Sequence, residues 1–159
     1  MISDLETKGH MRFRFGRRDQ LVLYKQKGET LSHVYLKAAA YALFYREVEG
    51  LAVDPKLRFK YPADLAAVDP TGDPRFWVIV EDTSLPRLEW SLKHVPATEL
   101  VLVTEGGDLD KLVSQIRRGI HYRYTHKRLV LYHFLGPVDE WLDPEGVEIP
   151  DGAYDVFHF

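Results

Sequence analysis

The sequence DLAAVDPTGDPRFWVIVE, residues 64–81, holds a turn motif between two apolar segments. Its centre, 69–74, combines Pro and Gly, which preset the backbone angles of a turn. The flanking segments, 65–68 and 75–81, are apolar, and the second is rich in β-branched and aromatic residues, as is typical of a strand buried on both faces. The stretch therefore predicts a β-hairpin inside a covered sheet.

The segments on either side of this hairpin alternate between helical and extended patterns. Upstream, apolar residues recur at i+3 and i+4 and predict a helix over about 30–48, followed by an alternating strand over 57–61. Downstream, Pro86 and Pro96 bound a predicted helix. Beyond it, the pattern predicts in turn a strand over 100–103, a helix over about 109–119 and a strand over 129–134.

Basic and aromatic residues alternate near the start of the chain. Arg12–Phe15 and Leu21–Tyr24 flank a turn, which predicts an N-terminal β-hairpin, and residues 1–10 before it are polar and expected to be loose. Four arginines, Arg12, Arg14, Arg17 and Arg18, cluster in this hairpin. They are explained equally well by an exposed hairpin and by a small phosphate-binding surface.

Composition limits the class of protein. With 159 residues, of which 45% are hydrophobic and 28% charged, the chain has the length and composition of one globular domain. No apolar run approaches the ~20 residues that cross a bilayer, and the N-terminal residues lack the apolar stretch of a secretory signal. The absence of cysteine excludes disulfides and thiolate sites, and it fits a reducing, cytoplasmic compartment.

The net charge of −3 is unevenly distributed. Residues 137–159 hold seven acidic residues and no Lys or Arg, so residues 1–136 carry 17 acidic against 21 basic residues, a net charge of +4. This division predicts a loose segment over 1–10, one α/β domain over 11–136 and an acidic, aromatic segment over 137–159. The basic part permits a nucleic-acid partner, and the acidic segment is solvated, covers the basic surface or meets a partner.

Two carboxylates are expected to meet at one end of the predicted hairpin. A turn centred near residue 72 places Asp64 opposite residues 79–81, which brings Glu81 close to it. Two carboxylates at one edge of a sheet can share a hard cation such as Mg²⁺, which stabilises charge on a phosphate and activates a water molecule. Asp69 and Asp73 lie at the other end of the hairpin, where they are expected only to form the turn.

The predicted order, helix, three strands, helix, strand, is the αβββαβ core of the PD-(D/E)XK, or restriction-endonuclease-like, superfamily. Residues 28–104 also resemble the bacterial YaeQ family, a divergent group of that superfamily. The resemblance rests on Gly28–His33, Pro62-Ala63-Asp64, Thr71-Gly72-Asp73, Trp77 and Glu81. It implies a restriction-endonuclease-like fold with a mixed sheet, which the N-terminal hairpin precedes.

The resemblance also implies a set of site residues. Asp64 corresponds to the motif aspartate, Glu81 to the motif glutamate, and Glu29 to an additional acid on the first helix. The motif lysine has no counterpart, because Thr83 stands two residues after Glu81. Lys93 or Lys60 is the candidate replacement; the alternatives are that Lys93 pairs with Glu89 and that Lys60 is an edge charge.

Two functions remain open on this reading. One is Mg²⁺-dependent hydrolysis of phosphodiester bonds in DNA or RNA, with Asp64 and Glu81 as metal ligands. The other is a non-catalytic nucleic-acid-binding, protein-interaction or regulatory module on the same fold. In either case residues 117–128, which interleave basic and aromatic side chains, are the predicted nucleic-acid surface. Its five basic residues are Arg117, Arg118, Arg123, Lys127 and Arg128.

Two other features of the sequence are weaker indications of a functional site. The seven histidines lack the spacing of a zinc site. Gly106-Gly107-Asp108 precedes a predicted helix and can be interpreted either as a phosphate-binding turn or, as we expect, as a plain loop.

Overall fold

A six-stranded mixed sheet forms the centre of the protein in a computed structural model that describes residues 9–81 and 84–159. In chain order the strands of this sheet are β3 (Ala52–Val53), β4 (Leu65–Val68), β5 (Pro74–Val80), β6 (Glu99–Glu105), β7 (Leu129–Phe134) and β8 (Tyr154–His158). They lie in this same order across the sheet, with β5, β6 and β7 parallel and the remaining pairs antiparallel.

Helices cover both faces of this sheet. On one face lie α1 (Leu31–Phe44) and a separate two-stranded ribbon of β1 (Gly9–Phe15) and β2 (Asp19–Lys25). On the other lie α2 (Leu85–His94) and α3 (Leu109–Gly119), with the short α4 (Tyr122–Thr125) leading into β7. The central strands are therefore buried on both faces, and Val78, Ile79, Val101 and Leu102 are 0% exposed. None of the helices in the described part of the chain is both long and apolar enough to cross a membrane.

The strand ends lie along two opposite sides of the sheet. Because β5, β6 and β7 are parallel, their C-terminal ends meet along one edge, which we call the carboxyl edge. The antiparallel β4 begins at this same edge. Side chains that follow β5 or precede β4 are thus brought together there, in the position where open α/β sheets commonly place their ligands.

The structure confirms most of the predicted elements. Both predicted hairpins are present, the N-terminal one and the one at 64–81. So are the helix between Pro86 and Pro96, the helix at 109–119 and the strand at 129–134. The first helix is shorter than predicted and ends at Phe44, after which Glu47 and Val48 donate to the Phe44 carbonyl in a turn.

One predicted strand is wrong. Residues 57–61 alternate in sequence but form no strand; their backbone makes short-range bonds such as Phe59 N–H to the Leu57 carbonyl. The alternation arises because Phe59 packs edge-on against Trp77, with ring centroids 5.1 Å apart. The strand that precedes β4 is instead the two-residue β3.

The segment at 137–159 is an integral part of the fold. Val138 begins a short 3-10 turn and is buried in the core on the α1 face, and β8 forms one edge of the sheet. At the other end, Gly9 and His10 belong to β1, while residues 1–8 of the predicted loose segment lie outside the described residues.

Candidate functional site

Asp64 lies at the carboxyl edge, immediately before β4. Its backbone N–H donates to the Val78 carbonyl at 3.0 Å, and its side-chain Oδ2 accepts from the Val80 N–H at 2.7 Å. The register Leu65 to Val78 therefore continues through Asp64, which places this residue beside the end of β5 as the turn position predicts. Its side chain is 10% exposed.

The N-terminal part of α1 brings three further charged groups to this point. Thr30 caps the helix by accepting from the His33 N–H at 3.2 Å. Glu29 precedes this cap, and His33 and Lys37 follow Glu29 at intervals of four residues, so the three side chains lie on the same side of the helix start. His33 Nδ1 lies 2.7 Å from Glu29 Oε2, and Lys37 Nζ forms an ion pair with the same oxygen.

These residues belong to a continuous series of acidic and basic side chains. Lys37 Nζ also lies 2.8 Å from Asp54 Oδ1, at the end of β3. His33 Nε2 lies 3.5 Å from Asp64 Oδ1, and Arg87 Nη2 of α2 lies 3.7 Å from Asp64 Oδ2. We call this series the ion-pair chain, and its members in order are Asp54, Lys37, Glu29, His33, Asp64 and Arg87.

The ion-pair chain is neutral overall when His33 is protonated. Burial alone would raise the pKa of Glu29, but hydrogen bonds from His33 and Lys37 outweigh it and lower that pKa to about 2. Burial likewise opposes charge on Lys37, yet its bonds to Asp54 and Glu29 raise its pKa. Both groups are therefore ionised at neutral pH, within a region where an unpaired charge is costly.

The other half of the ion-pair chain tends to retain protons. Burial lowers the pKa of His33, but the hydrogen bond to Glu29 and the charge of Asp64 raise it above the ordinary value of 6.5 overall. For Asp64, burial is the dominant effect and raises the pKa, despite the Val80 N–H bond and the charge of His33. When the imidazole is protonated, it supplies the positive charge between the two carboxylates.

We expect the pKa of His33 to depend on the charges of its two acidic neighbours, Glu29 and Asp64. Followed by NMR of the ring protons, the pKa of His33 will lie above 6.5 in the wild type and will fall in Asp64→Asn and Glu29→Gln. Because the folded pKa is raised, the stability that His33 contributes is present below pH 6.5 and is lost as the pH rises through the folded value.

The control for this titration is Glu89→Gln, which removes a carboxylate that pairs with Lys93 on α2. It should leave the His33 pKa unchanged. An unchanged pKa in Asp64→Asn would contradict the arrangement described here.

Glu81 lies at the same edge but in a different environment. It leaves β5 with a positive φ of 67°, and its N–H donates to the Val103 carbonyl at 2.7 Å. Its side chain lines a cleft of about 380 Å³ at the ends of β5, β6 and β7, together with Glu105 and the buried His133. Burial raises the pKa of Glu105, and the charge of Glu81 adds to this effect. No described ion pair or hydrogen bond joins Glu81 to Asp64.

The two candidate replacement lysines have partners of their own. Lys93 Nζ lies 2.5 Å from Glu89 Oε1 on the exposed side of α2, in the i,i+4 pairing that the sequence offered as the alternative. Lys60 lies over the Tyr61 ring at 5.4 Å. Thr83 falls outside the described residues. The amine that faces the carboxylates of the site is that of Lys37.

The basic residues at 117–128 lie where β6 and β7 begin, at the edge opposite to Asp64. The Leu100 N–H donates to the Arg128 carbonyl, which ties this region to the start of β6. Arg123 lies over the Tyr124 ring and Arg117 over the Phe157 ring, and both are exposed, as are Arg118 and Lys127. Arg128 directs its guanidinium inward, to the carbonyls of Leu92, Val95 and Ala97.

The Gly106-Gly107-Asp108 turn supports the interpretation as a plain loop. Both glycines adopt positive φ, and the Asp108 side chain caps α3 by accepting from the Lys111 N–H at 3.2 Å. The anion-binding position at this helix end is thus taken by the protein's own carboxylate.

Three members of the ion-pair chain are not predicted from the sequence: Lys37, Asp54 and Arg87. The sequence could have indicated Lys37, because it follows Glu29 and His33 at intervals of four residues and lies on a helix that is otherwise almost entirely apolar. Asp54 and Arg87 reach the site from a loop and from the opposite face of the sheet, so no spacing in the sequence indicates them.

Comparison with known proteins identifies the fold. No family model matches the sequence, and no curated protein does. Among solved structures, the YaeQ protein from Xanthomonas axonopodis pv. citri superposes with a TM-score of 0.64 at 19% identity, over 95% of this chain and 89% of that one. The YaeQ protein from Pseudomonas syringae gives 0.65 at 17% identity, over 96% and 89%. The chain therefore shares the fold of the YaeQ proteins over nearly its whole length.

Proposed function

We propose that this chain is a PD-(D/E)XK-like protein that binds nucleic acid, and that the ion-pair chain has replaced the divalent cation of a nuclease site. The order α1, β3, β4, β5, α2, β6 supports the superfamily assignment, because it is the αβββαβ order. The observation that carries the proposal is that Glu29, Asp54 and Asp64 are each already paired with a cationic side chain of the protein.

The donor atoms fit a magnesium ion poorly. Mg²⁺ takes oxygen ligands in a near-octahedral shell and needs carboxylates that are free to face it. Asp64 Oδ2 accepts from the Val80 N–H, while Glu29 Oε2 is shared by His33 and Lys37. Within residues 9–81 and 84–159, no group of three His, Asp or Glu side chains is arranged to hold a metal ion. Binding without hydrolysis is the function that this donor set favours.

The second candidate is metal-dependent hydrolysis of a phosphodiester bond, and Lys37 favours it. The side chain of Lys37 is 4% exposed, it contacts Glu29, and its charge reaches Asp64. It therefore meets the requirement for a lysine at the site better than Lys93 or Lys60. In this mechanism Asp64 and Glu81 would bind the metal ion, Glu29 would assist, and Lys37 would supply positive charge to the transition state. The metal ion would neutralise the phosphate and activate water.

Calorimetry combined with a cleavage assay separates the two functions. We expect wild type and Asp64→Asn to give the same heats on titration with Mg²⁺ or Mn²⁺. We also expect wild type to bind a labelled oligonucleotide equally well in EDTA and to leave it intact. Asp69→Asn, in the exposed turn, is the matched control. A saturable Mn²⁺ heat that is lost only in Asp64→Asn, together with cleavage, would establish the hydrolytic function instead.

A further inference from the structure

The ribbon of β1 and β2 presents two chemically different faces. Its inner face carries Phe13, Phe15 and Leu23, which are at most 3% exposed. Phe13 packs edge-on against Tyr35 and Phe15 against Tyr41, so the ribbon is fixed to α1. Its outer face is exposed and consists of three cross-strand pairs: His10 with Tyr24, Arg12 with Val22, and Arg14 with Gln20.

The outer face is positively charged. Arg12 and Arg14 lie two residues apart on β1, and Arg17 and Arg18 continue the series into the exposed turn. The acidic segment runs beside β1, since the Arg14 N–H donates to the Pro144 carbonyl and the Val147 N–H donates to the Arg14 carbonyl. Among the described residues, the ion pair that these arginines make is that of Arg14 with Glu145: Glu145 Oε2 lies 3.7 Å from Arg14 Nε, and both side chains are more than half exposed. An ion pair of this kind is weak. The arginines therefore remain available to an anionic partner.

The same face also offers apolar and aromatic surface. Tyr24 is 63% exposed and Val22 37%, and the His10 ring lies 6.0 Å from that of Tyr24. Single exposed apolar residues are common, but an exposed tyrosine among arginines combines a stacking platform with phosphate-binding groups. This combination is typical of surfaces that bind single-stranded nucleic acid, in which the bases are free to stack.

The position of the ribbon connects this face with the candidate site. β2 ends at Lys25, and the next residue, Gln26, donates its N–H to Glu29 Oε1 at 3.1 Å. The end of the ribbon that carries Tyr24 and His10 is therefore next to the ion-pair chain, whereas its turn lies near Tyr45 at the end of α1. The region 117–128, by contrast, lies at the opposite edge of the sheet.

We propose that the outer face of the ribbon binds single-stranded nucleic acid, with Arg12, Arg14, Arg17 and Arg18 on phosphates and Tyr24 stacked on a base. This inference rests on the proposed nucleic-acid-binding function and names the surface that performs it. A strand laid along the ribbon would run toward Glu29 and His33.

The test is binding of a fluorescein-labelled single-stranded 20-mer, measured by anisotropy at several salt concentrations. We expect Arg12→Gln/Arg14→Gln to weaken binding at least tenfold and to reduce the slope of log K against log salt by about 1.4, since each phosphate contact contributes ~0.7 for single strands. Tyr24→Ala should weaken binding about tenfold and leave the slope unchanged, because a stacked ring releases no counterions.

The matched control is Arg117→Gln/Arg118→Gln, which removes the same charge at the opposite edge. If this double variant loses as much affinity as Arg12→Gln/Arg14→Gln, or more, the ribbon assignment is overturned. The assignment also fails if the ribbon variants, shown by circular dichroism to be folded, bind like wild type. It fails too if wild type prefers vesicles of anionic lipid to the oligonucleotide. A wild type that binds no nucleic acid would overturn the proposed function itself.

Discussion

We expect Lys37→Met to lower the free energy of unfolding by about 3–5 kcal/mol, the cost typical of removing one partner of a buried ion pair. Lys37 is 3% exposed and its ammonium lies between the carboxylates of Glu29 and Asp54. Methionine fills a similar volume, so the loss reports the charge rather than a cavity. Without Lys37, Glu29 keeps a buried negative charge that only His33 and a backbone N–H compensate.

Urea unfolding followed by circular dichroism measures this loss. The double variant Glu29→Gln/Lys37→Met should be less destabilised than the sum of the two single variants, because each removes the interaction that the other would lose. The control is Lys93→Met, whose ion pair with Glu89 is exposed and whose loss should leave stability close to that of wild type. A Lys37→Met protein as stable as wild type would show that the ion-pair chain does not hold α1 to β3 and β4.

Four strands of the sheet, β4 to β7, could be predicted because each is an apolar run in the sequence and a turn motif joins the first two. The turn at 69–74 sets the register of β4 against β5, and that register alone places Asp64 beside Val80. β8 escaped prediction since Asp155 and Val156 are exposed on an edge strand, where only one side of the strand packs against a neighbour. An edge strand in which Asp155 and His158 stand among aromatic residues resembles a solvated tail in sequence.

Within the site, the turn of one hairpin predicted the position of Asp64, and the resemblance to the YaeQ family indicated Glu29. Asp64 was found because its neighbour lies across a single turn, whereas Asp54, Lys37 and Arg87 come from three different elements. A buried lysine is stable only when acidic partners pair with it. The sequence does not show those partners, so Lys37 reads merely as a polar residue on an apolar helix. No described ion pair or hydrogen bond joins Asp64 to Glu81: Glu81 follows β5 at a φ of 67° and lines the cleft that Glu105 also lines.

The basic region at 117–128 shows how a sequence pattern can combine residues with different roles. Arg128 resembles its neighbours in sequence, yet its guanidinium donates from Nε to the Ala97 carbonyl at 3.1 Å and from the two terminal nitrogens to Val95 and Leu92. These carbonyls lie at the C-terminal end of α2 and just beyond it, where the helix has no donors of its own. Burial lowers the pKa of Arg128, although an arginine stays charged at any physiological pH.

We therefore expect Arg128→Met to lower the free energy of unfolding by about 2–4 kcal/mol, because it leaves partly buried carbonyls without a donor. Arg128→Lys should recover only part of this loss, since one ammonium cannot reproduce the fork of the guanidinium. Arg118→Met, an exposed neighbour, is the control and should unfold like wild type. Urea unfolding distinguishes these outcomes. A stable Arg128→Met protein with weakened oligonucleotide binding would return Arg128 to the nucleic-acid surface, whereas an unstable one assigns it to the junction of α2 and β6.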